Sequence, residues 1–349
     1  MIELSVVVAT YNRRDTLSVT LARLANQTLA AARYEVIVVD DGSPDDTEEM
    51  VRGLMEEVPY QLKYLRHANR GPGFTENRGI REAAGRLVLL MADDIHAESE
   101  MLSNHVRFHQ QHPEENVASL AKVLQSPELR RTTFLVNWDP FRYRELPERQ
   151  VELPYWKFWA CNICVKREFL LQNGLFRELK GASHEDVELG YRLHLKGLKI
   201  VYHPEAVAYH HHEETLDSAA QRAFERGLNW RFIEENVPDP QIHVKYHILN
   251  WHTLGYHLQT FRRVSESDLP PEDRNLPWLL FRQVVRWVVF NRATVPYFWM
   301  PLLRRAEHHR LLAVLVNPYM YRGAVFYHFL RGAAKSRALP EAQVASAQA

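Results

Sequence analysis

The stretch Leu89-Leu90-Met91-Ala92-Asp93-Asp94-Ile95 ends an apolar run on two adjacent carboxylates. Such a run, over Leu87 to Met91, reads as a strand covered on both faces, as in a parallel sheet. Two earlier runs end the same way. Residues 2 to 9 are rich in β-branched side chains and stop at Thr10-Tyr11-Asn12-Arg13. Glu35-Val36-Ile37-Val38-Val39 stops at Asp40-Asp41-Gly42-Ser43. Between these runs lie helical signals. Asp15 is placed to cap a helix carrying Leu17, Leu21 and Leu24. Ser43-Pro44-Asp45-Asp46 reads as an N-cap, a proline at N1 and an acid at N3. A strand around Leu62 to Leu65 and a helix around Thr75 to Ala84 complete a βαβα alternation. That alternation predicts a doubly wound α/β sheet, whose ligands bind beyond the carboxyl ends of the strands. Each polar cluster alone could be a turn or a cap. Three of them at strand ends converge on one edge and point to a site.

Composition sets the outer bounds. The chain has 349 residues, 46% of them hydrophobic and 25% charged, enough for a sizeable core. Lys+Arg and Asp+Glu both total 43, so no net field argues for nucleic acid. The N-terminus shows no signal-peptide pattern, and no window approaches the ~18 apolar residues of a membrane span. A cytoplasmic protein is expected. Cys161 and Cys164 form a CNIC motif, open to a redox reading, but it lacks the usual βα setting and reads better as two small buried residues.

Three groups of residues carry potential chemistry. Adjacent carboxylates repel and usually need a cation. Hard divalent ions take oxygen ligands, often one or two carboxylates completed by phosphate and water. Asp93-Asp94 therefore suits a metal-diphosphate site, or else a capped loop start. In Ser183-His184-Glu185-Asp186-Val187-Glu188, the acids stand at a helix start, where the dipole favours them. One could instead serve as a general base. Glu188 and Arg192 are spaced as a surface i,i+4 ion pair. In Tyr209-His210-His211-His212, strand alternation puts His210 and His212 on one face and His211 on the other. The triple His reads as a polar loop start or a ligand set, with at least one metal ligand.

VVVATYNR, VVDDGSPDDT, NRGPGFTENRGI, the Asp pair, FWACNICVKREFLLQNGLF, HEDVELGYRLHLKGLKI and AYHHH occur in that order. Over about residues 3 to 230 the chain resembles the inverting, nucleotide-sugar-dependent glycosyltransferases of family 2, which have the GT-A fold. The resemblance implies a doubly wound mixed sheet flanked by helices, with a helical C-terminal extension. Residues 1–235 would be the catalytic domain, 236–334 a helical region past Pro238 and Pro240, and 335–349 a frayed tail. The stretch Ala9 to Arg13, with Thr10, Tyr11, Asn12 and Arg13, would wrap the nucleotide. Asp41 would bond base or ribose, and Asp93 would face the sugar or ribose. Asn77 and Glu185 would bind the nucleotide sugar, and Asn162 and Trp159 would line the donor-sugar or acceptor pocket. Asp94 and His210 would hold Mn²⁺ or Mg²⁺, and Asp186 would be the catalytic base. The implied reaction moves a sugar from a nucleotide-diphosphate sugar to the hydroxyl of a glycan, lipid-linked or small-molecule acceptor. Two positions depart from the family pattern. Ala92 stands where an Asp is common, which raises the importance of His210. Glu76 replaces an Arg expected near phosphate, with Arg70 or Arg78 as substitutes.

Rival readings are weaker. A Rossmann dehydrogenase needs GxGxxG after the first strand, where ATYNRR stands. A nucleotidyltransferase would carry a Gly-rich basic loop there. A non-catalytic nucleotide-sugar-binding protein is opposed by Glu185-Asp186 and His210. Residues 277 to 290 are apolar and aromatic with spaced Arg. They offer either packing, including a homo-oligomer surface, or peripheral contact with the inner face of a membrane.

Overall fold

The computed structural model describes residues 1–139, 143, 146–179, 183–239, 242, 281, 284 and 288–338. Contacts divide the chain into two compact units. The first holds Met1–Leu129, Phe141–His212 and Gln348–Ala349; the second holds Arg130–Pro140 and Glu213–Ala347.

The first unit opens with the expected alternation: β1 (Leu4–Thr10), α1 (Arg14–Ala25), β2 (Tyr34–Asp40), α2 (Thr47–Leu54), β3 (Gln61–Arg66), α3 (Pro72–Glu82) and β4 (Leu87–Ala92). It continues with β5 (Ile95–Ala97), α4 (Met101–Gln111) and β6 (Val117–Gln125). After α5 (Thr133–Asn137), which belongs to the second unit, come β7 (Val151–Leu153), β8 (Asn162–Lys166), α6 (Arg167–Asn173), α7 (Glu185–His194) and β9 (Lys199–His210). The strands form one sheet in the order β3-β2-β1-β4-β8-β6-β9-β5, with β7 paired to β9. Strands β3, β2, β1 and β4 run parallel, and β8 is antiparallel to both β4 and β6. The sheet is therefore mixed, as anticipated.

Val6, Val36 and Leu89 stand in register across β2-β1-β4 and are wholly buried. This is why those segments read as unbroken apolar runs. Helix α3 lies so close to β1 that a Cβ on Gly79 would meet Val7 Cγ1 at 2.3 Å.

Two caps differ from expectation. Asp15 sits inside the first turn of α1, and the Arg14 amide is bonded at 3.1 Å by Asp45 Oδ2. Ser43 does not start α2, which begins at Thr47; its Oγ accepts from the Asn12 amide at 2.8 Å.

The second unit is helical: α8 (Leu216–Leu228), α9 (Trp230–Asn236), a π-helical turn at Val295–Trp299, α10 (Met300–Ala306), α11 (Arg310–Leu315) and α12 (Pro318–Ala338). Helix α8 starts on a capping box in which Thr215 and Ser218 bond each other's amides. Phe134, Leu216, Val295, Leu303 and Tyr321 belong to its core. The boundary between compact units falls after His212 rather than near residue 235, because α8 and α9 pack with α12. The tail expected from residue 335 does not begin there: Ser336 is buried in α12, and Arg337 pairs with Glu234. Most of residues 277–290, and all of 339–349, lie outside the described residues.

Candidate active site

The first unit gathers its polar clusters at the carboxyl ends of β1, β2, β4 and β9. Pairing of Ala9 with Ala92 and of Thr10 with Asp40 sets their level. Thr10 Oγ1 donates to Asp93 Oδ2 at 2.8 Å, and Thr20 Oγ1 donates to the Asp93 carbonyl at 2.6 Å. Asn12 then turns the chain with φ 54°, a left-handed conformation that Asn tolerates better than most residues. Arg13 follows this turn and reaches β4. Its Nη1 donates to Asp93 Oδ1 at 2.7 Å and its Nη2 to Asp94 Oδ2 at 2.8 Å. The cation that reconciles the two carboxylates here is thus the chain's own guanidinium.

Asp94 also faces β9. Ile95 pairs with His210, and the His211 amide donates to the Asp94 carbonyl at 2.8 Å. His210 Nε2 and His212 Nδ1 each lie 3.4 Å from Asp94 Oδ2, their rings stacked at 5.3 Å and 7°. The donor atoms of Asp94, His210 and His212 fall within 4.8 Å of one another, a carboxylate–imidazole set able to hold a divalent ion. His212 completes this set. It shares a strand face with His210, and that parity is visible in the sequence.

The two carboxyls differ in character. Burial pushes Asp93 up to about 6, against the pull of Arg13. Burial opposes the charge of Asp94 too, but hydrogen bonds from His210 and His212, with Arg13, hold it well below the usual carboxylate range. Asp94 is the better anion and the better ligand.

Asp41 shapes the loop after β3. Its Oδ1 accepts from the Arg70 amide at 2.7 Å and its Oδ2 from the Gly71 amide at 3.0 Å. Gly42 beside it has φ 83°, and a Cβ there would meet the His67 carbonyl at 2.9 Å. Tyr11 is 48% exposed, which leaves a ring face open at the strand end.

Glu185 and Asp186 occupy the first turn of α7, behind His184 at φ 69°. A left-handed non-glycine residue costs roughly 1–3 kcal/mol and is common at functional sites. Asp186 Oδ1 accepts from the Val187 amide at 2.7 Å. Burial pushes the Cys161 thiol up, with the charges of Asp186 and Asp94 adding to it. Asp186 and Asp94 therefore both act electrostatically on Cys161, and both Cys161 and Cys164 are free thiols. Glu76 is buried beneath, its carboxyl raised well above the usual range by burial and then by Glu185.

Other expected residues take different places. Asn77 clamps Phe176: its Nδ2 donates to that carbonyl at 2.9 Å and its Oδ1 accepts from that amide at 2.8 Å. Asn162 is wholly buried at the start of β8, bonded to His105 Nε2 at 3.3 Å and Met101 Sδ at 3.3 Å. It supports the site from below because its strand position turns it toward α4. Trp159 is half-buried, with Lys157 Nζ 4.1 Å above its ring and Tyr143 edge-on at 5.2 Å. The Glu188–Arg192 pair is not a surface feature. Glu188 is fully buried and bonded by Arg192 and Arg177, which ties α7 to the preceding loop. Arg78 donates to the Arg66 carbonyl at 2.8 Å, and Arg70 stacks on Phe74 at 3.8 Å. Neither is bonded to the Asp pair, where Arg13 stands instead.

Residues 5–172 match the family model described as glycosyl transferase family 2. Validoxylamine A glucosyltransferase of Streptomyces hygroscopicus subsp. jinggangensis (strain 5008) is 29% identical over 223 residues, 56% of this chain and 52% of that protein. The chain thus spans about half the length of that curated relative. Among solved structures, the mannosyltransferase PcManGT from Pyrobaculum calidifontis, in complex with GDP-Man and Mn²⁺, superposes with a TM-score of 0.59 at 18% identity, covering 96% of this chain and 87% of that one. Staphylococcus aureus TarS 1-349 in complex with UDP-GlcNAc gives a TM-score of 0.52 at 18% identity, covering 97% of this chain and 93% of that one. These structures share the GT-A arrangement of the sheet. Over residues 5–172, just under half of its length, the chain is similar to glycosyl transferase family 2.

Proposed function

We propose that the chain is an inverting glycosyltransferase that moves a sugar from a nucleoside-diphosphate sugar to an acceptor hydroxyl. The observation that carries this reading is the convergence of Arg13, Asp93, Asp94, His210 and His212 at adjoining strand ends. Relatives of the same fold bind GDP-Man with Mn²⁺, or UDP-GlcNAc.

In this reading the exposed ring of Tyr11 stacks on the base, and Asp41 holds the loop around the ribose. Asp93 faces the sugar hydroxyls. Arg13 moves from the Asp pair toward the diphosphate, exchanging carboxylate for phosphate oxygens. Asp94, His210 and His212 would hold the divalent ion, which when bound neutralises charge on the leaving diphosphate. Two imidazoles beside one carboxylate favour Mn²⁺ over Mg²⁺. Asp186 takes the proton of the acceptor hydroxyl as its oxygen bonds the anomeric carbon. The bond to the diphosphate breaks on the opposite face, so one displacement inverts the centre.

The Asp186→Asn variant tests the assignment. Nucleoside diphosphate release should fall by about 10²–10⁴-fold, while a nucleotide sugar with Mn²⁺ still raises the melting temperature. Turnover near wild type would overturn it.

For the acceptor, we propose a polysaccharide or glycoconjugate hydroxyl, with the second unit resting on the inner face of a membrane. Leu311, Val314, Leu315 and Tyr319 are exposed there near Arg305 and Arg310. No helix among the described residues is long and apolar enough to cross a membrane.

A further inference from the structure

A second cluster of metal-binding side chains lies on the other face of β9. His211 follows His210 by one residue, so its ring turns to the opposite side. It stacks on His96 of β5, with centroids 4.6 Å apart and planes 17° apart. Glu128 reaches both from the loop after β6. Its Oε2 is 3.7 Å from His96 Nδ1 and 3.8 Å from His211 Nδ1. The donor atoms of the three residues lie within 4.8 Å of one another.

Hydrogen bonding does not account for the burial of His96. Both N···O separations are too long for a hydrogen bond. His96 is only 3% exposed, yet both of its ring nitrogens lack a hydrogen-bond partner. Buried polar atoms are nearly always satisfied, so a buried imidazole with two unmet nitrogens needs a reason. Across a tetrahedral ion with bonds of about 2.0–2.1 Å, donor atoms stand roughly 3.4 Å apart. The two N···O separations need to contract by only a few tenths of an ångström to meet one, and the stacked rings must turn so that both nitrogens face the ion. The surroundings suit an ion as well. Arg23 bonds the other oxygen of Glu128 and fixes that carboxylate, as outer hydrogen bonds do for metal ligands. Ser126 Oγ is hydrogen-bonded to His211 Nδ1 at 3.1 Å, a bond the ion would replace.

We infer that His96, His211 and Glu128 form a second metal site, separate from the Asp94 site, for a borderline first-row divalent ion of the zinc class. Two imidazoles and a carboxylate, with one position left to water, match that ion better than Mg²⁺. The ion would bind β5, the end of β9 and the loop after β6 to one another. Because the His211 amide donates to the Asp94 carbonyl, the same clamp would fix the backbone that presents Asp94, His210 and His212. Its role is positioning, and it does not depend on the proposed transfer reaction.

The test uses the full chain, stripped with chelator and titrated with Zn²⁺ against a chromophoric competitor. Co²⁺ in place of Zn²⁺ gives a visible spectrum that reports the ligand set. One tight equivalent is expected, retained in Asp94→Asn. Affinity should fall at least about 10-fold in Glu128→Gln and in His96→Asn. Glu128 is 48% exposed at its side chain, so its variant keeps the fold, which metal-free melting checks. Unchanged Zn²⁺ affinity in Glu128→Gln, loss of the tight equivalent in Asp94→Asn, or no stoichiometric binding by the wild type would overturn the site.

Discussion

Glu76 is a carboxyl group in a place that does not favour a charge. Burial and the nearby Glu185 raise it well above its usual 4.5, so it is neutral in the folded state over a wide range. The sign of its effect on stability follows. A raised acid contributes fully below its unfolded value, and the contribution is lost as pH rises toward the folded one. The Glu76→Gln variant keeps the shape without the titration. Its melting temperature should exceed that of the wild type by a few degrees at pH 8, and the gap should shrink toward pH 5. A gap that does not change with pH would count against the neutral carboxyl. At this scale the sequence was informative where strand parity decides direction: His210 and His212 share a face, and the pairing of β5 with β9 brings them to Asp94. The reach of Arg13 was not legible, since it depends on the left-handed turn at Asn12. The inward turn of Asn162 depends on its contacts with α4, which no local pattern records.

Among the elements, the tightest approach lies between α8 and α12. A Cβ on Gly332 would meet the Phe224 carbonyl at 2.0 Å, and one on Gly227 would meet the Phe329 carbonyl at 2.1 Å. Two backbones in contact leave nothing that can yield. Gly332→Val should therefore force the helices apart at a cost of at least ~2 kcal/mol, lowering the melting temperature by roughly 4–8 °C. Thermal melting checks this, and an unchanged transition would mean the helices do not cross here. The strands β1 to β4 and the helices between them were legible because period and apolar content agree, whereas β5 to β8 and α4 to α6 carried no such signal. The starts of α1 and α2 were not legible, because their capping side chains serve other segments. Asp45 bonds the first amide of α1, and Ser43 bonds Asn12.

Over the whole molecule the charges cancel, so any attraction to a charged surface must be local. The second unit holds such a place, with Arg305 and Arg310 exposed near Leu311, Val314, Leu315 and Tyr319. Each basic residue beside an anionic bilayer contributes about 1 kcal/mol. The chain should co-sediment with vesicles containing anionic lipid at low salt, and Arg305→Ala with Arg310→Ala should weaken this by roughly 30-fold. Equal binding to neutral vesicles would refute the role of the arginines, and no binding to either would refute membrane contact. The division into units has a further consequence for modularity. Segment 130–140 leaves the first unit to place Phe134 and Leu135 in the second unit's core, and the chain then returns. The sheet and the helices therefore cannot be parted by a single cut. Cleavage after His212 would leave Phe134 without its core, so exchanging the helical unit between related enzymes requires two coordinated splices.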